Sequence, residues 1–260
     1  ADAASRSPSM SASSLPVEDC VAAYQAWILR ESARWMPADP RVRPRRVVVD
    51  AGNGSFWRIA PEAIARDGAE VVRLFCEPDG TFPNRSPNCA MPSNLTALCR
   101  RVRETGADAG AAFDGDGDRV AFVDETGAVL DADEVFVILL RALGDRLRGE
   151  KVVYDLKCSR VVAAEAEARG ARALMERSGH AFIKRRMILE NALLGGEVSG
   201  HFFHRALRGG DDGLFTALVA LRLLSARGTP LSALRQALPQ RFITPDIRLP
   251  WSPTKTGALL

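Results

Sequence analysis

The chain has 260 residues, of which 47% are hydrophobic and 26% charged, with a formal net charge of +3. This length accommodates about two domains, and the composition is typical of a globular protein. The basic residues are scattered, which argues against a nucleic-acid groove, and no apolar run is long enough to span a membrane. The five cysteines are odd in number and lack a CxxC pair, so we expect reduced thiols and a cytoplasmic location.

The N-terminal part of the chain predicts one helix after a tail. Residues 1–14 are rich in Ala and Ser, and we expect them to be disordered or a linker. A helical pattern follows from Val17 to Trp35 and places Val21, Tyr24 and Ile28 on one side. This segment therefore leads into the first α/β unit.

Strands and helices alternate between Val47 and Arg148. The predicted elements are the strand RRVVVD, a helix from Pro61 to Asp67, the strand AEVVRLF, a helix capped by Ser93 that stops at Gly106, the strands AGAAF and RVAFVD, and a helix capped by Asp131 with Val135, Ile138, Leu139 and Ala142 on its apolar side. Such alternation is typical of an α/β domain.

A second cycle of strands and helices begins at Lys151. The predicted elements are the strand VVYDL, a helix from Ser159 to Arg169, the strand ARALME, a helix from Ala181 to Asn191, the broken strand LLGGEVSGHFF, and a helix started by Asp211 or Asp212. The second α/β domain ends near Leu238, and the remaining residues hold too little apolar sequence for a further domain.

The stretch AFDGDGDRVAFVD carries the strongest chemical signal. Asp114, Asp116 and Asp118 alternate with Gly115 and Gly117, and glycine permits the turns that would point all three carboxylates at one place. Converging carboxylates repel one another unless a cation lies between them. A few oxygen ligands with room for a substrate oxygen favour Mg²⁺.

Two other interpretations of this loop need comparison. An EF-hand would use Glu125 as its twelfth residue, but Arg119 stands where that loop needs glycine, and the flanks predict strands. A solvated acidic turn between two strands is also compatible with the spacing.

A second glycine-rich stretch carries Glu197, Ser199 and His201. On an extended backbone these residues share one face, and the neighbouring glycines leave room for a ligand to approach. An ordinary exposed Glu–His pair is the alternative, and the residues taken alone favour it.

Six motifs in order resemble the α-D-phosphohexomutases, the phosphomannomutase/phosphoglucomutase family. They are VVVDAGNG, EPDGTFPN, FDGDGDR, YDLKCSR, SGHAFIK and GGEVSGH. The resemblance implies an α/β fold of two consecutive three-layer α/β/α domains with mixed sheets, phosphoglucomutase-like. Residues 41–149 would be the second domain of the family with the metal loop, and residues 150–240 the third with the sugar loop. Residues 1–40 would be a tail and a helix from the first domain, and residues 241–260 the start of the fourth.

The resemblance also implies a reaction and its residues. In this family a phosphoserine passes its phosphoryl group to a hexose phosphate, and the bisphosphorylated sugar turns around to return a group. Mg²⁺ and a glucose 1,6-bisphosphate-type activator are the expected cofactors. The implied site residues are Asp114, Asp116 and Asp118 for the metal, Arg119, His180 and Lys184 for catalysis, and Arg160, Glu197, Ser199 and His201 for the hexose phosphate. For Arg119 an ion pair with a nearby aspartate is the alternative role.

The chain also departs from the family pattern. We find neither a TASHNP-like phosphoserine motif nor the phosphate-binding loop of the fourth domain, and Arg85 stands where the family tends to have histidine. We therefore expect an incomplete, monomeric chain that is inactive alone and whose partners are the missing domains 1 and 4. A phosphoglucosamine mutase and a non-catalytic sugar-phosphate-binding protein are the alternatives, and Val198 between Glu197 and Ser199 leaves the hexose open.

Overall fold

The computed structural model of the protein describes residues 20–37 and 46–239. The predictions for the tail at residues 1–14 and for residues 241–260 lie outside this part of the chain. The helices are α1 (Cys20–Trp35), α2 (Ile59–Arg66), α3 (Thr96–Thr105), α4 (Ala132–Leu143), α5 (Arg160–Ala168), α6 (His180–Glu190), α7 (Gly213–Arg227) and α8 (Leu231–Gln236). None of these helices is long and apolar enough to cross a membrane.

The strands form two five-stranded sheets. They are β1 (Arg46–Asp50), β2 (Glu70–Leu74), β3 (Ala109–Phe113), β4 (Val120–Asp124), β5 (Val129–Leu130), β6 (Lys151–Asp155), β7 (Arg172–Glu176), β8 (Leu194–Gly196), β9 (Phe202–His204) and β10 (Gly210–Asp211). The strand orders are β2-β1-β3-β4-β5 and β7-β6-β8-β9-β10. The second strand of each order, β1 or β6, is parallel to both of its neighbours, and the last two pairings are antiparallel. The second unit thus repeats the first, and the predicted mixed sheets are confirmed.

Each sheet lies between two layers of helices, because neighbouring residues of a strand face opposite sides of the sheet. On β1, Val47 and Val49 face a large apolar cluster that extends across both sheets, whereas Val48 packs with residues of α3. On β6, Val152 joins the large cluster and Val153 packs with residues of α6. The outer helices α3 and α6 therefore cover one face each, and the helices between the sheets share one core.

The helix α4 lies inside this shared core. The predicted face of Val135, Ile138 and Leu139 is buried, but Phe136 and Leu140 are buried too. The middle of α4, residues 135–140, is apolar and buried on every side, as expected for a helix segment in an interior. Its start is as predicted: the Asp131 side chain accepts from the backbone three residues on, and that residue's carboxylate accepts from the Asp131 N–H.

One prediction about a helix start is wrong, and one buried polar side chain was not predicted. Pro92 opens a short 3₁₀ turn from Pro92 to Leu95, and α3 begins only at Thr96, so Ser93 does not cap it. The buried side of α1 includes the polar Gln25, whose amide donates to the Ile59 carbonyl and reaches the α2 surface. Hydrophobic periodicity does not detect a buried amide with its own partners.

The carboxyl ends of the parallel strands place four acidic residues at equivalent positions. Asp50 ends β1 and Asp114 follows β3; in the second unit Asp155 ends β6 and Glu197 follows β8. In each sheet the chain first adds a strand on one side of β1 or β6 (β2 or β7) and then one on the other side (β3 or β8). Ligands of open α/β sheets bind outside the carboxyl ends at this change of direction.

Candidate active site

Asp114 organises the loop between β3 and β4. Its Oδ1 accepts hydrogen bonds from the backbone N–H of Gly117 (3.0 Å) and Arg119 (3.1 Å), and its Oδ2 accepts from Arg119 Nε (2.6 Å). Gly117 has a φ of +89°, and a Cβ there would lie 2.7 Å from the Phe56 ring. A side chain at this position would therefore be strained and would collide with the ring.

The three loop aspartates converge as predicted. One carboxylate oxygen from each of Asp114, Asp116 and Asp118 lies within 4.8 Å of the others. Asp114 is buried, Asp118 is half-buried and Asp116 is exposed, so the group opens to one side. This all-oxygen, one-sided donor set fits Mg²⁺, which keeps positions for water or substrate oxygens. The loop joins antiparallel strands, so the EF-hand alternative is excluded.

A buried ion pair that the sequence analysis did not identify supports this loop. Arg85 Nε lies 2.8 Å from Asp50 Oδ2, and the same guanidinium donates to the Phe113 carbonyl (2.7 Å), one residue before Asp114. The Ser55 N–H donates to the Gly115 carbonyl (2.9 Å). The carboxyl ends of β1 and β3 are thereby joined through one side chain.

The second loop brings together Glu197, Ser199 and His201. The Ser199 hydroxyl lies 2.8 Å from His201 Nδ1 and 3.2 Å from Glu197 Oε2, and His201 Nδ1 lies 3.1 Å from Glu197 Oε2. The Gly179 N–H, just before α6, donates to Glu197 Oε1 at 2.7 Å. The three side chains lie together, but in a turn and not on the predicted extended backbone: the Gly200 N–H donates to the Glu197 carbonyl (3.1 Å), and Gly200 has a φ of +92°.

The two loops meet directly. Arg119 and His201 form an antiparallel β-bridge, and the Val120 N–H donates to the Gly200 carbonyl at 3.2 Å. Across this bridge His201 Nε2 lies 3.3 Å from Asp118 Oδ1. The loop that follows β3 and the loop that follows β8 consequently form one site.

Charges across the bridge affect three ionisable groups. Burial alone would lower the pKa of His201, but its hydrogen bond to Glu197 and the carboxylates of Asp118 and Asp211 raise the pKa above its ordinary value. Burial alone would raise the pKa of Glu197, but the His201 and Gly179 hydrogen bonds lower it. Burial would also lower the pKa of Arg119, but Asp114 raises it. The site therefore holds fixed charges of both signs.

The other predicted residues lie at different distances from this centre. His180 begins α6, and its Nε2 lies 2.9 Å from Asp211 Oδ1, next to the His201 ring. Lys184 follows one turn later and is half-buried. Arg160 begins α5 and is exposed, and among the described residues it makes no hydrogen bond or ion pair with the second loop. Arg119 makes the ion pair with Asp114 that was the alternative to its phosphate role.

Asp211 takes a place that sequence reasoning did not predict. Asp212 caps α7 by accepting from the Phe215 N–H, whereas Asp211 faces His180 and His201. The pair DD before an apolar helix indicates a cap but does not show which aspartate supplies it. The two side chains differ in role because Asp211 ends β10 whereas Asp212 is the residue before α7.

The comparisons with known proteins agree with this arrangement. Family models described as phosphoglucomutase/phosphomannomutase, α/β/α domains II and III, match residues 32–127 and 131–242. A phosphomannomutase/phosphoglucomutase of Pseudomonas putida is 42% identical over 205 residues, which cover 78% of this chain and 44% of that protein. The chain thus spans less than half the length of this curated relative.

Solved structures show the same fold. A phosphoglucomutase/phosphomannomutase family protein of Burkholderia thailandensis matches with a TM-score of 0.80 and 35% identity, over 87% of this chain and 48% of the other. An N-acetylphosphoglucosamine mutase of Aspergillus fumigatus, in complex with GlcNAc-6P and magnesium, matches with a TM-score of 0.60 and 14% identity, over 83% of this chain and 49% of the other. The latter likeness concerns the fold alone.

Proposed function

We propose, from the premise that this chain belongs to the phosphoglucomutase/phosphomannomutase family, that it forms the metal- and sugar-binding centre of a phosphohexomutase. Such an enzyme is an isomerase that interconverts hexose 6-phosphate and hexose 1-phosphate by phosphoryl transfer. The observation that carries the proposal is the contact between the loops, with His201 Nε2 at 3.3 Å from Asp118 Oδ1. It puts a cation-binding group and a hydroxyl-binding group within one substrate's reach.

Mg²⁺ is the cofactor we propose for Asp114, Asp116 and Asp118. When bound there it would neutralise charge on the transferring phosphoryl oxygens. The chain's own contribution is to hold three carboxylates in place before a substrate arrives: Asp114 is fixed by backbone N–H groups, and Asp116 and Asp118 lie at the open side.

The remaining site residues would bind and orient the sugar phosphate. Glu197 and Ser199 would accept from and donate to ring hydroxyls, because both point to the side of the loop that carries His201. Arg119 would attract phosphate with the nitrogens not engaged by Asp114, since its planar fork suits two oxygens. His180 and Lys184, one turn apart on α6, would contact phosphate or move a proton, and Arg160 would attract phosphate at the start of α5.

The phosphorylated serine is proposed to belong to the part of the relatives' length that this chain does not span, together with a phosphate clamp. A glucose 1,6-bisphosphate-type sugar would then be both intermediate and activator. We propose mannose and glucose phosphates as substrates ahead of glucosamine phosphate, because the 42%-identical relative is named for the first two. All five cysteines are free, which fits the proposed cytoplasmic location, and we propose a monomer.

Calorimetric titration of this chain with Mg²⁺ and then glucose 1,6-bisphosphate tests the proposal. We expect the bisphosphate to bind only after Mg²⁺. Asp116→Asn should abolish Mg²⁺ binding, and His201→Gln should weaken bisphosphate binding while Mg²⁺ still binds. Asp145→Asn, at a fully exposed carboxylate outside the site, is the matched control and should behave as wild type. Bisphosphate binding that ignores both Mg²⁺ and these site variants would contradict the proposed function.

A further inference from the structure

A second group of ligand atoms lies beside the aspartate loop, on the side of β10. It consists of Asp118, His201 and Asp211, each of which offers one atom within 4.8 Å of the others. His201 Nε2 is 3.3 Å from Asp118 Oδ1 and 3.8 Å from Asp211 Oδ2. Unlike the first group, this one contains a nitrogen donor.

Asp211 gives an independent reason to expect a ligand here. Its side chain is only 5% exposed, and its Oδ2 is buried without a hydrogen-bond partner among the described residues. Burial of an unpaired carboxylate oxygen costs free energy unless a cation or donor offsets it. His201 Nε2 lies 3.8 Å from Asp211 Oδ2, beyond hydrogen-bond distance, so a cation between the two atoms would contact both.

The separations also have the size of a metal coordination shell. Tetrahedral sites with nitrogen and oxygen ligands at about 2.0–2.1 Å have neighbouring ligand atoms roughly 3.4 Å apart. The measured 3.3 Å and 3.8 Å bracket that value. The third pair, Asp118 and Asp211, lies within the 4.8 Å that encloses all three atoms.

The surroundings orient the two inner ligands. Glu197 Oε2, 3.1 Å from His201 Nδ1, can only accept, so the Nδ1 proton faces it and Nε2 faces Asp118 and Asp211. His180 Nε2 lies 2.9 Å from Asp211 Oδ1, the other oxygen of that carboxylate, and so fixes its orientation. A carboxylate behind a ligating histidine is the usual second layer of a transition-metal site.

We propose that Asp118, His201 and Asp211 form a second cation site, for a borderline divalent ion such as Zn²⁺ or Co²⁺. Nitrogen and carboxylate donors in this geometry suit such ions, whereas the all-oxygen aspartate loop suits Mg²⁺. Asp118 lies between the two sites and is shared. A cation held here would occupy His201 and so exclude the sugar; that consequence rests on the proposed function, while the site itself does not.

Titration of the 260-residue chain with CoCl₂ in saturating MgCl₂, followed by visible absorption, tests the site. We expect the d–d band of tetrahedral Co²⁺, and we expect Asp211→Asn and His201→Gln each to abolish it. Asp116→Asn, which removes a ligand of the first site alone, should keep the band and lose Mg²⁺. His180→Gln should weaken Co²⁺ binding about 10–100-fold, as loss of a ligand's support does.

Each variant is checked by its thermal unfolding, and His204→Gln serves as a control histidine outside the cluster. The proposal is overturned if no band forms, if Mg²⁺ displaces Co²⁺, or if a folded Asp211→Asn protein binds Co²⁺ as wild type does. Any of these results leaves Mg²⁺-dependent bisphosphate binding, and hence the proposed function, to be judged by its own titration.

Discussion

Arg85→Met tests whether a buried ion pair supports the aspartate loop. Arg85 and Asp50 have side-chain exposures of 3% and 0%, and their contact is 2.8 Å. The guanidinium also donates to the Phe113 and Ser86 carbonyls at 2.7 and 3.0 Å. Methionine fills a similar volume but leaves the carboxylate and both carbonyls without this donor. Removal of one partner of a buried pair costs about 3–5 kcal/mol, and we expect a loss of that size.

Thermal unfolding followed by circular dichroism measures the loss. One kcal/mol shifts Tm by roughly 2–4 °C in a chain of this size, so Tm should fall by about 6–20 °C. Arg34→Met, at an exposed pair with Glu31, is the control and should cost less than about 1 kcal/mol. Adding Asp50→Asn to Arg85→Met removes the unpaired charge and should restore much of the stability. A loss below about 1 kcal/mol for Arg85→Met would refute the reasoning.

The loss of stability in Arg85→Met should also depend on pH. Burial raises the pKa of Asp50 above its ordinary value, and Arg85 partly offsets this rise, so loss of Arg85 raises the pKa further. A carboxyl whose pKa is higher in the folded protein stabilises it below the unfolded pKa and loses that contribution as pH rises through the folded pKa. The difference between Arg85→Met and wild type should therefore grow from acid to neutral pH. An unchanged difference would show that Asp50 is not the group responsible.

Three further predictions concern the scaffold. Gly200→Ala should lower the free energy of unfolding in urea more than Gly68→Ala does. Both glycines have a similar positive φ (+92° and +94°), at which alanine costs about 1–2 kcal/mol. Only at Gly200 would the new Cβ also meet the Val120 carbonyl, at 3.2 Å. Burial lowers the pKa of His204 to about 3, so between pH 6.5 and pH 3 protons bind this histidine only in the unfolded state. Wild type should therefore lose about 1.4 kcal/mol of stability per pH unit relative to His204→Gln over this range. Parallel pH profiles of the two proteins would contradict this prediction. Asp131→Ala should lower the free energy of unfolding by about 0.5–2 kcal/mol, and no measurable loss would mean that the α4 cap is dispensable.

Local features were predictable from the sequence because the interactions that form them are local. The aspartate loop closes on itself within six residues, through Asp114 to Gly117 and Arg119, so its spacing was sufficient to identify it. The cap at Asp131 likewise depends on the residues of one turn. The continuous apolar run of β1 identified it as a buried strand, because its residues face both layers of the same domain.

Predictions failed where a distant or competing group decides the outcome. Ser93 has the chemistry of a cap, but Pro92 starts a 3₁₀ turn first. Gln25 is buried because α2 offers it a carbonyl. The sequence analysis noted Arg85 only as a departure from the family pattern; its burial depends on Asp50, which lies 35 residues earlier and pairs with it.

The amino-acid sequence by itself determined the α/β alternation, the two glycine-rich loops and the type of chemistry in each, since these depend on periodicity and on short-range hydrogen bonds. Only the tertiary structure decided that the loops meet. The shared apolar core between the sheets positions the two hairpins so that Arg119 pairs with His201 and Asp118 faces its ring. That contact follows from packing between residues far apart in the chain, which no local pattern encodes. It creates both the proposed substrate site and the second cation site.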